Sequence, residues 1–289
     1  MTVPIAATRH VPSTPDGPRE KLDADSHVAI VGSAQLGDPI LAALRAEVSA
    51  AQHHAWTDRT APSRIDISRC SVLMVCSATE RDALELLGDE EGGILWSLRP
   101  GTIVVLHTQV AAEQVDELAK RCAAYGVVLV EAPVVGQGTQ AWSTDPTILV
   151  GGPSHAIDAV EPMMRAWAST VVRTGGLGSA TKTLLVNELL FAANAQLAGD
   201  ALELGLELGL EQTALIDALC SCTSASVSLR IIQGAGTTAA FAKAAERCHS
   251  REVAAASATV KRLGADLGLT GDALARGPFA LLPEPNEDS

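Results

Sequence analysis

Two side chains near the middle of the chain have the chemistry for handling a proton. Lys182 brings an amine and Asn187 an amide, five residues apart in the stretch Gly175-Gly176-Leu177-Gly178-Ser179-Ala180-Thr181-Lys182-Thr183-Leu184-Leu185-Val186-Asn187-Glu188. An amine can exchange a proton and an amide can hydrogen-bond, so the two either form a catalytic pair or merely decorate a helix. The glycines predict a turn that opens a long helix, with both residues near its start. At about 100° per residue, a regular helix sets Lys182 and Asn187 roughly 140° apart and Lys182 and Leu184 roughly 160° apart. Lys182 and Asn187 therefore share a site only if Lys182 lies on the turn before the helix, or if the helix is bulged.

A ligand for such a pair has its own candidate residues upstream. His27-Val28-Ala29-Ile30-Val31 has the pattern of a buried strand, and Gly32-Ser33-Ala34-Gln35-Leu36-Gly37 that of a tight turn before a helix from Pro39 to Leu44. A dinucleotide fingerprint needs this order, because backbone amides and a helix N-terminus must approach a pyrophosphate without an obstructing side chain. The motif is G-x-A-x-x-G, with its middle glycine replaced, so its weight comes from context. Ala55-Trp56-Thr57-Asp58 is read as a second strand ending in a carboxylate about where a ribose-binding acid belongs. Asp58 suits the ribose hydroxyls of NAD, whereas Arg59 and Thr60 suit the 2'-phosphate of NADP, a slight lean to NADP. Val72 to Cys76 is a further buried strand, and the small residues Ser77 and Ala78 after it let a ribose come close.

Strands at Thr102–Leu106 and Val127–Val130 enclose a helix over about Val110–Tyr125. Glu131-Ala132-Pro133-Val134-Val135-Gly136-Gln137-Gly138 follows as a loop that either offers amides to an anion or simply turns the chain. A strand at 147–152, a helix at 153–168 and a strand at 170–173 complete a doubly wound parallel α/β sheet of the Rossmann type. Beyond the glycines the chain is predicted all-helical: Thr181–Leu210, Gln212–Leu219, a small-residue loop at Cys220–Gly236, then Thr238–Glu246 and Arg251–Leu267. Leu202 to Leu210 is too apolar for an isolated surface helix and is expected to be buried between domains or subunits. The boundaries predicted are a disordered tail at 1–26, a Rossmann domain at 27–178, a helical substrate and dimerisation domain at 179–278, and a tail at 279–289.

With 21 basic and 34 acidic residues the net charge is -13, which argues against nucleic acid as a partner. No apolar run is long enough for a membrane span and no secretory signal is recognisable, so a cytoplasmic protein without a membrane partner is expected. Six cysteines show no metal-type spacing, and all are read as free, buried thiols, with no metal site.

Taken together, these pieces resemble the β-hydroxyacid dehydrogenase family, the group of 3-hydroxyisobutyrate dehydrogenase and the 6-phosphogluconate dehydrogenases, over about His27 to Leu267. Val31-Gly32 through Gly37-Asp38-Pro39 is similar to its nucleotide turn, and Asp58-Arg59-Thr60 to its second-strand signature. Gly101 to Val105 with Thr108 is similar to the strand that delivers a hydroxyl toward the nicotinamide. Glu131 to Gln137 resembles the substrate loop, and Arg251-Glu252-Val253 a basic-acidic pair turned toward the cofactor.

The resemblance implies a Rossmann domain joined through a long helix to a helical domain that makes a homodimer. The implied reaction is hydride transfer between NAD(P) and a small hydroxy acid, with Lys182 exchanging the proton and Asn187 positioning lysine and substrate. It implies substrate contacts at Thr108, Val135, Gly136 and Gln137. Cofactor contacts are implied at Gly32, Ala34, Gln35, Leu36, Gly37, Asp58, Arg59, Thr60, Cys76, Ser77, Thr108 and Arg251. Val135 and Gln137 stand where the family has a serine and a second glycine. Counted forward from the glycines, the lysine position falls on Lys182; counted back from Asn187, it falls on Leu184. Imine reductases share this architecture and lack the lysine, so imine reduction is one alternative reading. A dinucleotide-binding regulator or partner subunit without turnover is another.

Overall fold

The computed structural model describes residues 27–45, 52–55, 67–88, 93–135, 146–248 and 250–281. Its first half alternates strand and helix: β1 (Val28–Gly32), α1 (Ala34–Leu44), β2 (Gln52–Ala55), β3 (Val72–Cys76), α2 (Glu80–Leu86), β4 (Ile103–Leu106), α3 (Ala112–Ala124), β5 (Val128–Glu131), β6 (Val134–Val135), β7 (Thr147–Gly151), α4 (Ser154–Arg165) and β8 (Thr170–Gly175). The sheet order is β2-β1-β3-β4-β5-β7-β6, with β8 paired to β7. β2, β1, β3, β4 and β5 are mutually parallel, whereas β7 runs antiparallel to β5 and β6. The strand order reverses between β1 and β3, where open α/β sheets bind their ligands.

Period-2 alternation sends the strand side chains to two cores. Val28, Ile30, Val72 and Met74 pack with α1 and α4, while Ala29, Val31, Leu73 and Val75 pack with α2 and α3. Both faces are covered, which is why these strands are continuously apolar.

From Ser179 onward the chain is helical: α5 (Ser179–Glu207), α6 (Gln212–Ser221), α7 (Val227–Ala235), α8 (Thr238–Cys248), α9 (Ser250–Arg262) and α10 (Gly268–Arg276). A third core joins Leu185, Leu189 and Leu202 of α5 to Ile216, Leu229, Ile232, Phe241 and Phe279. Gln196, fully buried on α5, accepts from the Phe279 N–H (2.8 Å) and donates to the Phe279 carbonyl (2.7 Å), pinning the segment after α10.

Several sequence expectations change. The segment 220–236 is not all loop, because α7 forms there: the Ser226 hydroxyl caps the Leu229 N–H (3.1 Å), and Leu229 and Ile232 bury one face. α10 adds a helix that the sequence pattern does not signal. The second strand is described over Gln52–Ala55, with Ala55 level with Gly32 of β1, and the expected remainder, Trp56 to Asp58, lies outside the described residues. α1 starts at Ala34 rather than Pro39, since the Ser33 side chain accepts from the Gln35 N–H at its N-terminus. Leu204, Leu206, Leu208 and Leu210 are exposed in the single chain, not buried between its domains. Cys70, Cys76 and Cys122 are buried and in no disulfide, but Cys220 is half-buried and Cys222 exposed. Among the described residues no helix is long and apolar enough to cross a membrane, and no cluster of metal-binding side chains occurs.

Candidate active site

The strand ends at the reversal point are drawn tightly together. Gly32 has φ +133°, and a side chain there would meet the Cys76 carbonyl oxygen at 2.5 Å and the Ser77 nitrogen at 2.7 Å. Only glycine allows this approach. The Ser33 N–H then donates to the Cys76 carbonyl (2.9 Å), so the N-terminus of α1 sits directly at the end of β3. Thr108, buried past the end of β4, donates its hydroxyl to the Ser77 carbonyl (3.1 Å) and so ties that strand end to the same place. Gly32, Ala34, Cys76, Ser77 and Thr108 are thus brought into one crevice. The buried Ser77 hydroxyl has no hydrogen-bond partner among the described residues. A buried polar atom left without a partner is costly unless a ligand completes it.

Next to Thr108 stands His107, which no sequence motif singles out. It is fully buried, hydrogen-bonded through Nδ1 to the Ala132 carbonyl (2.8 Å) and edge-on to Trp167, with ring centroids 5.3 Å apart. Burial pushes its pKa down to about 4, against a smaller upward effect of the carbonyl, so the ring is neutral at pH 7.

The second residue without a sequence signal is Glu131, which the sequence places only as the first residue of the loop. Its carboxylate is buried and accepts from the Ala180 N–H (2.9 Å), the Thr181 N–H (3.0 Å) and the Thr181 hydroxyl (2.7 Å). β5 thereby caps the N-terminus of α5 with a negative charge, the favourable sign for that end of a helix. Its role is invisible locally because the donors lie 49 and 50 residues downstream.

α5 runs without a break from Ser179, and Lys182 already lies within it, its N–H donating to the Gly178 carbonyl (3.1 Å). Lys182 and Asn187 are both exposed and stand on different faces, roughly 140° apart. Lys182 turns back over the hinge, its Nζ 3.7 Å from where a side chain on Gly178 would begin. Leu184 is the residue that meets the loop: it is buried with Leu149 and Ala180 against Val135. Gln109, following Thr108, donates to the Glu188 carboxylate (3.1 Å) and so joins the strand-end loop to α5. Asp58, Arg59, Thr60, Gly136 and Gln137 lie outside the described residues. Arg251 lies in α9, where its backbone alone is described.

With that geometry in place, residues 27–176 match the family model of the NAD binding domain of 6-phosphogluconate dehydrogenase. The chain belongs to the β-hydroxyacid dehydrogenase family. It is 31% identical to L-threonate dehydrogenase of Cupriavidus necator over 155 residues, 53% of this chain and 51% of that protein. The chain thus spans about half the length of the curated relatives it matches. Among solved structures it is similar to the 3-hydroxyisobutyrate dehydrogenase of Mycobacterium tuberculosis, with TM-score 0.69 and 17% identity over 86% of this chain and 91% of that one. It is also similar to an imine reductase from Pseudomonas, with TM-score 0.54 and 18% identity over 87% and 92%. These likenesses share the fold, a Rossmann-like domain followed by a helical region. A nicotinamide dinucleotide of either kind fits this family, and the crevice sets the N-terminus of α1 beside the buried, unpartnered Ser77 hydroxyl.

Proposed function

We propose that the protein is an NAD(P)-dependent oxidoreductase acting on a small hydroxy acid or the corresponding carbonyl compound. The observation that carries this reading is the buried, unpartnered Ser77 hydroxyl in the crevice between β1 and β3, within a family NAD-binding domain. The bound dinucleotide supplies or accepts the hydride. Gly32, Ala34, Gln35, Leu36 and Gly37 present the first turn of α1 to the pyrophosphate, while Cys76, Ser77 and Thr108 flank the ribose and nicotinamide. Asp58, Arg59, Thr60 and Arg251 complete the cofactor's surroundings, with Arg59 and Thr60 leaning toward NADP.

Lys182 moves the substrate proton, reaching back along the first turn of α5 toward the hinge. Val135, Gly136 and Gln137 hold the substrate there, and Asn187, on another face of α5 roughly 140° away, positions lysine and substrate only if the first turn of α5 rearranges on binding. The domains divide at 27–178 and 179–278, flanked by tails. Two chains pair through the helical region, and the free thiols suit the reducing cytoplasm.

The packing of Leu184 against Val135 favours a second reading. An apolar wall without an amine on the face toward the loop suits a cyclic imine rather than a carboxylate-bearing alcohol. The test begins with NADPH and NADH titrations followed by fluorescence; failure of both to bind sinks either reading. A panel of hydroxy acids, aldehydes and cyclic imines then identifies the substrate. In the hydroxy-acid reading, Lys182→Ala lowers kcat by about 10²–10⁴-fold. Undiminished turnover of an imine by that variant transfers the assignment to imine reduction, and tight NADPH binding without turnover assigns a regulatory role.

A further inference from the structure

The first turn of α5 is held from the sheet at two points. One oxygen of the Glu131 carboxylate accepts from the Ala180 N–H (2.9 Å), and the other from the Thr181 N–H (3.0 Å) and the Thr181 hydroxyl (2.7 Å). The carboxylate has little room to swing, because Glu131 is 1% exposed and ends β5 in register with Leu106 on one side and Gly151 on the other. A fork with one tine on each of two successive amides fixes a helix in rotation as well as in height, whereas a single bond leaves it free to turn. The Ser179 hydroxyl, bonded to that of Thr174 on β8 (2.8 Å), is a tether of the second kind.

Lys182 is the next residue. Ala180, Thr181, Leu184 and Leu185 form the buried face of this part of the helix, and Lys182 stands outside it with its amine over the hinge near Gly178. That amine makes no hydrogen bond or ion pair among the described residues, so its place is set through the backbone that Glu131 holds. At about 8 Å from the helix axis, an amine moves by about 3 Å when the helix turns by about 20°. A misplacement of about 1 Å is enough to cost roughly a hundredfold in rate. The same clamp opposes the rearrangement that Asn187 requires to reach Lys182.

We propose that Glu131 is a positioning residue for the reaction: through the paired amides of Ala180 and Thr181 it sets the rotation of α5, and with it the place of the Lys182 amine. It acts through Lys182 and does not itself exchange a proton. This rests on the role given to Lys182 above.

The test reads the place of Lys182 directly. Acetylation of the full chain by N-hydroxysuccinimidyl acetate, mapped by peptide mass spectrometry, is followed with and without NADPH, with the exposed Lys120 and Lys243 as references. NADPH is expected to slow acetylation of Lys182 and not of the references. That protection is lost in Glu131→Gln, which turns an amide NH2 toward one of the two helix donors, and is reduced in Thr181→Val. Thr181→Val keeps the carboxylate and both backbone bonds, so it carries the test if circular dichroism shows that Glu131→Gln does not fold. Equal protection in wild type and variants overturns the positioning role while the oxidoreductase reading stands. No protection in the wild type removes Lys182 from the site, and the positioning role falls with it. With the hydroxy acid that turns over fastest in the panel above, Glu131→Gln lowers kcat by about ten- to a hundredfold and leaves the KM for NADPH unchanged. Added to Lys182→Ala, it lowers kcat no further than Lys182→Ala alone. A cap that served stability alone would lower kcat in both backgrounds, and that result overturns the proposal.

Discussion

His107 shows how a single buried ring couples the crevice to pH. Its pKa is pushed down from 6.5 to about 4 by burial, so the unfolded chain takes up a proton that the folded chain refuses. The stability contributed by the neutral ring is complete above pH 6.5 and is lost as pH falls toward 4, by about 3 kcal/mol across that window. Urea midpoints of the wild type should therefore fall between pH 6.5 and 4, and those of His107→Gln should fall less. Parallel curves for the two proteins would remove His107 as the cause. At the same scale, the sequence shows Lys182 and Asn187 but not which face each takes. That depends on where α5 begins, and a helix start is fixed by its cap. Here the cap is Glu131, a residue on another strand.

Among the elements, α5 owes its position to that carboxylate. Glu131→Ala leaves two N–H groups and a hydroxyl without their acceptor, at a cost of about 3 kcal/mol, and Glu131→Gln, which keeps an acceptor, costs less. Gly151 makes room for the arrangement: a side chain there would strike the Glu131 carboxylate, and would meet the Ser179 hydroxyl at 2.8 Å and the Gly176 carbonyl at 2.9 Å. Gly151→Ala should consequently destabilise the fold in the same urea assay, and Gly151→Ala combined with Glu131→Ala should lose less than the sum of the two. Additive losses would show that they act separately. The strands of the sheet are legible because two-sided burial demands continuous apolar runs. α7 and α10 are not, because each is only nine residues long and α7 follows a run of small residues that reads as loop, so its apolar face of Leu229 and Ile232 is too short to stand out and tertiary contacts such as Leu229 and Leu274 decide them.

On the scale of the whole molecule, the two halves are tied by Gln109 to Glu188 and by Arg262 to Glu113 (3.3 Å), both at exposed positions. Such contacts contribute little stability in water. The surface left over is more telling. Val186, Leu190, Leu197, Leu204 and Leu208 fall within about 40° of one line along α5, and they are 54–71% exposed. A helix stripe this apolar is unusual on a monomer. If it pairs two chains, Leu197→Glu with Leu204→Glu should convert a dimer into a 29.9 kDa species in sedimentation velocity, leaving the circular dichroism unchanged. A wild-type chain that sediments as a monomer would end that reading. Leu202 to Leu210 are legible as something more than surface helix, but whether a domain or a subunit covers them is not encoded in a pattern of spacing.

The cap on α5 also makes that helix a lever. Its 29 residues span roughly 43 Å, held at one end by Glu131 from the sheet. A rocking of roughly 5° about the anchored end moves the far end by roughly 4 Å and the first turn hardly at all. A displacement of the distal helices that rocked α5 about that end would reach its first turn as a small rotation, with the distance from Lys182 to the sheet almost preserved.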